Sequence, residues 1–270
     1  RHQVFIDTLR ASEVRIVWTQ HNLIPHQRDP RWEAIYEAWA AAADAVIHHS
    51  EWGRSRALAR YRYAPHARHA VIPHGHFGNL MSDVAGIDRA AAEDALGLRA
   101  GVLRLGVIGA PRPEKRADIA MAAVAASSRD DIELLVISSA PPAPDDPRIV
   151  VLPHERVSRE EYNRRLAVID VLVMPFDDGD MLTTGTVGDA VGLGLPSLVS
   201  GWPYLAEALG DAGIRYGSSV SDLARCVDAL DTEQLDRARK AAVRLQDDYD
   251  WNRLAGKHFE LLEQVGTAKL

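Results

Sequence analysis

Residues 103–115 read Leu-Arg-Leu-Gly-Val-Ile-Gly-Ala-Pro-Arg-Pro-Glu-Lys. Leu103–Gly109 is a largely apolar run, interrupted only by Arg104, that stops at a glycine, the pattern of a buried strand. A short loop with two prolines and two cations follows, and Lys115–Ala126 then reads as a helix. The sequence on either side repeats this strand–loop–helix unit. Downstream it predicts strands at Ile132–Ser138, Ile149–Pro153, Asp170–Pro175 and Pro196–Ser200, a helix after Ser158 and another over Thr184–Gly192. Ser158 with Glu161 three positions on is a capping box, and Ser221–Val265 is mostly helical. Upstream it predicts strands at Arg15–His21, Ala45–Ser50 and His69–His74. Between them lie helices over Arg31–Ala43, opened by Asp29-Pro30, and Glu51–Tyr61. This alternation implies an α/β architecture of doubly wound parallel sheets covered by helices on both faces. In such sheets ligands sit beyond the carboxyl ends of the strands, so the loops that follow strands are where chemistry is expected.

A chain of 270 residues corresponds to one large domain or two small ones. Its composition is uneven. Nine of the eleven histidines fall in the first 76 positions and four of the six tryptophans in the first 52. Residues 1–85 carry ten Arg and no Lys against eight acids, a net charge of +2, which leaves −9 for the remainder. The asymmetry predicts two units, 1–85 and 86–250, divided within the glycine-bearing stretch Gly75–Gly86, with 251–270 a C-terminal helix returning to the first unit. The Pro-rich run 141–147 reads as a stiff surface loop. Because the chain starts at Arg1, the N-terminal unit is expected to be incomplete. A partner chain carrying the rest, a truncated or cleaved form, and a minimal variant all satisfy that expectation.

The net charge of −7 argues against non-specific nucleic-acid binding. No apolar run reaches the length of a membrane span, and the lone Cys226 excludes an internal disulfide scaffold. A cytoplasmic protein fits, with peripheral attachment to the inner face of a membrane left open. High Ala and 27 Arg against four Lys fit a GC-rich bacterial genome.

Three strand-end loops carry polar groups able to act together. His21-Asn22-Leu23-Ile24-Pro25-His26 follows the first strand, and Gly109 to Lys115 follows Leu103–Gly109. Phe176 to Thr186 follows Asp170–Pro175 and contains Thr183-Thr184-Gly185-Thr186 at a helix start. Free backbone N–H groups, hydroxyls and the positive helix end there suit a phosphate, and glycine permits close approach; the plainer alternative is a threonine N-cap. Arg112 offers a bidentate fork and Lys115 a compact charge. A cation in the first turn of a helix opposes the helix dipole, which favours an anionic ligand over a merely solvated residue. Together the loops suggest a diphosphate held by Arg112, Lys115 and the Thr184–Thr186 amides.

At this point the sequence resembles the retaining GT-B glycosyltransferases, the group that includes bacterial mannosyl- and glucosyltransferases. Thr19-Gln20-His21-Asn22-Leu23-Ile24-Pro25-His26 is similar to that family's TxHNxxPH segment, and Val71-Ile72-Pro73-His74-Gly75 to the stretch that leaves its first domain. Arg112-Pro113-Glu114-Lys115 is similar to its Arg-x-x-Lys diphosphate motif. Thr183-Thr184-Gly185-Thr186 followed by Gly194-Leu195-Pro196 resembles its phosphate helix and GxP segment. The four occur in the family's order. The resemblance implies two Rossmann-like domains, the donor on the C-terminal one and the acceptor on the N-terminal one. It implies a hexose moved with retention from a UDP-, GDP- or dTDP-hexose to a hydroxyl acceptor, without metal or any cofactor beyond that co-substrate. It implies donor contacts from Gly109, Arg112, Lys115, Thr183, Thr184, Gly185, Thr186 and Asp189. His21 and Asn22 would face the reacting sugar, with Arg112 and Lys115 neutralising the leaving group. His26 and His74 would lie on the acceptor side.

The chain departs from the family at two points. The two-acid motif aligns its second acid with Asp189 but its first with Met181, which cannot accept hydroxyls as a carboxylate does; Asp180 is one position off. The glycine-rich loop after the family's first strand has no counterpart. Other readings therefore stay open. One is a non-catalytic sugar-nucleotide-binding protein or the partner subunit of a split enzyme, with Trp32 and Trp39 as a docking face. Another is a GT-A-type enzyme holding a divalent ion on Asp178-Gly179-Asp180. A third is a hydrolase with a metal on His48-His49 or His74-Gly75-His76. No His-Glu-x-x-His, Gly-x-Ser-x-Gly or Walker motif is present.

Overall fold

The computed structural model describes residues 2–12, 14–25, 30–109, 112–137, 145–152 and 157–266. In chain order these form α1 (His2–Ala11), β1 (Val17–Thr19), α2 (Pro30–Ala42), β2 (Ala45–His48), α3 (Glu51–Arg60) and β3 (Arg68–Val71). Then come α4 (Arg89–Ala95), β4 (Leu103–Ile108), α5 (Ala117–Ala126), β5 (Ile132–Ile137), β6 (Ile149–Leu152), α6 (Arg159–Ala167) and β7 (Val171–Met174). The chain continues through α7 (Gly185–Leu193), β8 (Ser197–Val199), α8 (Pro203–Leu209), β9 (Gly213–Arg215), α9 (Val220–Asp228), α10 (Thr232–Asp248) and α11 (Trp251–Gly266). Among the described residues no helix is long and apolar enough to cross a membrane.

The chain divides into two compact units. One comprises Arg1–Gly75, Asp178–Gly185 and Asp247–Leu270, the other His76–Asp177 and Thr186–Gln246. The Gly75–Gly86 stretch goes almost entirely with the second unit, where Phe77 N–H donates to Gly188 O at 3.2 Å and Met81 is buried. The first unit holds a parallel three-stranded sheet in the order β1-β2-β3, with β2 fully buried. Leu254, Leu261 and Val265 of α11 share a core with Ala45, Ile47 and Ile72 of this unit.

The second unit is a parallel six-stranded sheet in the order β6-β5-β4-β7-β8-β9. Its central strands are largely apolar on both faces because helices cover both: β5 and β7 are buried at every position, with Glu133 the one charged residue among them. Gly106 in β4 leaves room for Ile169, whose Cδ1 would lie 2.6 Å from any added Cβ. Cys226 of α9, the single cysteine, packs against the core of this unit. At the amino end of β4, Arg104 is wholly buried. Its guanidinium meets Glu93 at 2.7 Å and Glu133 at 2.9 Å and donates to Arg99 O, while Arg89 closes the network by pairing with Asp170 at 2.6 Å.

Several boundaries differ from the sequence reading. The helix expected at Lys115 begins at Ala117, because Pro113–Lys115 forms a single 3-10 turn and Arg116 then takes a left-handed conformation, φ 45°. Strand Arg15–His21 shortens to Val17–Thr19, the span that finds a partner in β2. Ser158 does cap α6, accepting from Glu161 N–H at 3.1 Å. The Glu161 carboxylate, however, is taken by Arg164 at 2.6 Å and Arg165 at 2.8 Å, so the reciprocal half of a capping box is missing there. The complete box is Ser219/Asp222, at the start of α9. Edge strand β9 was not expected, being too short to show alternation.

Candidate functional site

In the second unit the carboxyl ends of β4 and β7 bring together residues far apart in sequence. The buried ammonium of Lys115 donates to Thr186 Oγ1 at 2.7 Å, in the first turn of α7, and lies 4.4 Å from the centre of the Phe176 ring. Gly109 makes this possible: its φ is 119°, and a Cβ there would stand 2.8 Å from Lys115 Nζ. The turn that swings Lys115 inward is closed by Lys115 N–H donating to Arg112 O at 3.0 Å. It is buttressed by Arg116, which pairs with Asp118 and Asp177, each at 3.0 Å. Arg112 is exposed beside it. Lys115, Thr186, Gly109 and Asp189, all singled out from sequence, thus belong to one cluster, with Arg112 alongside.

The charges in this cluster are poised. Burial pulls the Lys115 ammonium down to about 8; Asp189 opposes that shift and Arg112 adds to it. Asp189 keeps partial solvent access, yet its dense surroundings push its carboxyl up to about 7 against the pull of Lys115 and Arg159. Burial also raises Tyr162, and the Asp189 carboxylate adds to the effect. Two cations held within range of each other, one desolvated, at the start of a helix form a receptor for an oxyanion. An oxyanion placed there would supply the negative charge that keeps Lys115 protonated, and Asp189 at pH 7 is able to accept from a hydroxyl or, when protonated, to donate to one. Phe176, Arg159 and Tyr162 went unassigned in the sequence reading. Phe176 stands directly after a strand, a signal that was available; Arg159 and Tyr162 reach Asp189 only through the tertiary fold.

The Thr183–Thr186 stretch does not act as one loop. Thr186 belongs to the second unit, whereas Thr183, Thr184 and Gly185 belong to the first with Asp178–Leu182. The cause is a short antiparallel bridge between Asn22 and Met181. Leu23 N–H donates to Asp180 O at 2.7 Å and Leu182 N–H to His21 O at 3.1 Å. Met181 and Leu182 are buried there, so Met181 serves packing where the aligned family position has an acid. The helix accordingly starts at Gly185 and not at Thr184. Asp178 faces Arg56 at 3.6 Å, and Gly179 turns with φ 45°.

The first unit also gathers His21, His49 and His74. His49 Nε2 lies 3.1 Å from His21 Nδ1, and the ring centres of His21 and His74 are 6.2 Å apart. Asn22 hydrogen-bonds Tyr36. His26 lies outside the described residues. The proposed His48-His49 ligand pair is not a pair. His48 turns to His69 at 2.9 Å, and His49 turns to Ile72 O, also at 2.9 Å, because neighbours along a strand point to opposite sides. Burial pulls both down to about 3, with repulsion from neighbouring histidines adding to it. His74 and His76 likewise turn to the backbone, at Gly75 O and Gly78 N. Among the described residues no three His, Cys, Asp or Glu side chains are grouped to hold a metal ion.

No family model and no curated protein matches the sequence. Solved structures do. Sucrose-phosphate synthase from Thermosynechococcus elongatus superposes with a TM-score of 0.75 at 18% identity, over 98% of this chain and 72% of that one. HepE of Anabaena, solved in complex with UDP and glucose, gives 0.77 at 16% identity over 97% and 75%. A trehalose-phosphate synthase from Burkholderia xenovorans, solved with glucose-6-phosphate, gives 0.73 at 11% over 97% and 72%. At these identities the likeness is one of fold, and that fold is the GT-B arrangement of Rossmann-like parallel sheets.

Proposed function

We propose that this chain is a hexosyltransferase that takes a hexose from a nucleoside-diphosphate sugar and delivers it to a hydroxyl acceptor on a glycolipid, polysaccharide or small molecule. The observation that carries the reading is the buried Lys115 ammonium, held by Thr186 at the start of α7 with Arg112 beside it, at the carboxyl end of β4 in a GT-B fold. In this reading the second unit binds the donor. Lys115 and Arg112 neutralise the charge that develops on the diphosphate oxygen as the glycosidic bond breaks, which is the electrostatic work a divalent ion performs elsewhere. Asp189 accepts from the ribose hydroxyls, one carbon shorter than a glutamate. The sequence resemblance assigns His21 and Asn22 to the reacting sugar and His74 to the acceptor. Retention of configuration follows the sequence resemblance.

One observation favours a second reading. Met181, aligned with the family's first acid, is buried and bridges Asn22, so the chain binds a sugar nucleotide with fewer contacts to the sugar. A subunit that binds without turnover fits that loss. Calorimetric titration of the full chain against UDP-, GDP- and dTDP-hexoses is expected to find one base that binds, and a nucleoside-diphosphate release assay then separates enzyme from binder. Failure of every sugar nucleotide to bind sinks both readings.

A further inference from the structure

The ring nitrogens of His49 and His21 form a chain whose protons are fixed by the groups at its end. His49 Nδ1 lies 2.9 Å from Ile72 O. A backbone carbonyl only accepts, so this nitrogen carries a proton. His49 is buried and its pKa is pulled down to about 3 by that burial, with His21 the next contributor and His74 and His258 adding to it. The ring is therefore neutral at pH 7, and its Nε2 is a bare lone pair. That lone pair lies 3.1 Å from His21 Nδ1, so the proton between the rings belongs to His21. His21 is also shifted down, by burial and then by His74, and a neutral ring with its proton on Nδ1 has none on Nε2.

We propose that His49 is a positioning residue that locks His21 in the Nδ1–H form, so that His21 presents Nε2 to ligands as a hydrogen-bond acceptor. The backbone fixes the arrangement. His49 follows β2 directly and Ile72 follows β3, and Ile72 N–H donates to His48 O at 2.8 Å, so the Ile72 carbonyl is held against the end of β2. Asn22 and Leu23, immediately after His21, are tied down by the Met181 bridge. The two strand ends thus hold both rings, and His74 packs against each, 6.2 Å from His21 and 5.6 Å from His49.

The consequence is chemical selectivity. A bare Nε2 accepts from an O–H and repels a phosphate oxygen, whereas the opposite form donates to an oxyanion and has no place for a hydroxyl proton. His21 is therefore built to read a hydroxyl group. Resting on the glycosyl-transfer reading above, that group is a sugar hydroxyl and not the leaving diphosphate.

The test begins with the unliganded protein, so its outcome does not depend on that reading. Ring 15N resonances of His21, assigned by their loss in His21→Gln, are expected at pH 7 to show a pyrrole-type Nδ1 and a pyridine-type Nε2. In His49→Leu the acceptor is gone, and the two His21 nitrogens are expected to move toward a tautomer average. His49→Gln, which offers an amide oxygen, is expected to restore part of the original pattern. Where a sugar nucleotide is turned over, His49→Leu is expected to lower kcat roughly tenfold with little change in KM, the size of effect typical when a histidine loses its orienting partner. A wild-type spectrum with the proton on Nε2 overturns the proposal even if the leucine variant fails to fold. A folded His49→Leu with an unchanged His21 pattern overturns it as well. Failure to bind any sugar nucleotide removes the glycosyl-transfer reading and leaves the 15N result standing.

Discussion

Two of the buried cations of the second unit, Arg104 and Lys115, stand at opposite ends of β4, and the fold treats them differently. Arg104, at the amino end, is completed by the protein itself: carboxylates of Glu93 and Glu133 lie within 2.7 and 2.9 Å of it, and a backbone carbonyl accepts from it. Glu133 also accepts from Arg99 N–H and Glu93 from Arg89, and Glu93, despite the opposing effect of burial, is held below its ordinary range by Arg104 and Arg89. Lys115, after the carboxyl end, meets a hydroxyl and the face of an aromatic ring. Of the two acids that act on it, Glu114 and Asp189, the latter is itself pushed up to about 7, so it is only partly ionised at neutral pH. A charge neutralised in full by the fold stabilises the fold. A charge left partly compensated at the ligand end of a parallel sheet is held ready for an anion from outside.

Exchanging each cation for a neutral side chain of similar length separates the two roles most decisively. Arg104→Met leaves two buried carboxylates without their partner, and the expected loss is about 3–5 kcal/mol of folding stability, read as the shift in urea midpoint. Nucleotide affinity of the folded fraction should not move. Lys115→Met should do the reverse. Stability is held or gained, since charging this buried amine costs roughly 3 kcal/mol at neutral pH, while affinity for the bound sugar nucleotide drops by about 1.5–3 kcal/mol in titration calorimetry. If Lys115→Met binds as tightly as the natural chain, the assignment of this end of the sheet to an anion falls.

The effect of pH is smaller. As pH rises through about 7, Asp189 acquires its negative charge; as it passes about 8, Lys115 loses its positive one. Both changes make the cluster more negative, so affinity for a sugar nucleotide, whose diphosphate does not titrate in this range, should fall steadily from slightly acid to slightly basic solution. The linked effect on folding has its own signs. Asp189 binds its proton more tightly folded than unfolded, so its contribution is present in acid and lost as pH rises from 3.8 toward about 7. Lys115 binds its proton less tightly folded, so its cost is full below about 8 and is lost only as pH rises from there toward 10.5. The pair contributes least to stability between the two. Binding that is flat across this interval would mean that neither group faces the ligand. The smallest expected change is Arg112→Ala. This guanidinium is exposed, so its removal should weaken the nucleotide only about two- to fivefold, most clearly at low salt.

The chain exposed this contrast only in part. Leu103–Gly109, bounded by its glycine, announced a strand, and the cations after it announced a ligand end. Lys115, Thr186 and Asp189 were each picked out for their place after strands or in a motif. That Lys115 bonds Thr186 is a contact between residues distant in sequence, set by β4 and β7 lying side by side, and no spacing reveals it. The helix start at Ala117 was missed because a left-handed Arg116 is rare and unmarked by glycine. The threonine stretch read as one phosphate loop because it is contiguous; backbone bonds from His21 and Leu23 to Leu182 and Asp180 assign most of it to the first unit. His49 was legible as a histidine but not as the partner of His21, because the β1–β2 register that sets Thr19 beside Ile47 is not written in either strand alone.

Cys226 gives the second unit a built-in clock. It lies in α9, packs against the core without being sealed in it, and burial raises its thiol above the ordinary range. Alkylation of the native protein at neutral pH is slowed while α9 is seated on the sheet, because the thiolate that reacts is scarce there. With no second thiol in the chain to confuse the count, any acceleration of labelling by mild denaturant reports the opening of one named helix. Comparing that rate with global unfolding shows whether α9 detaches by itself or only with the whole unit.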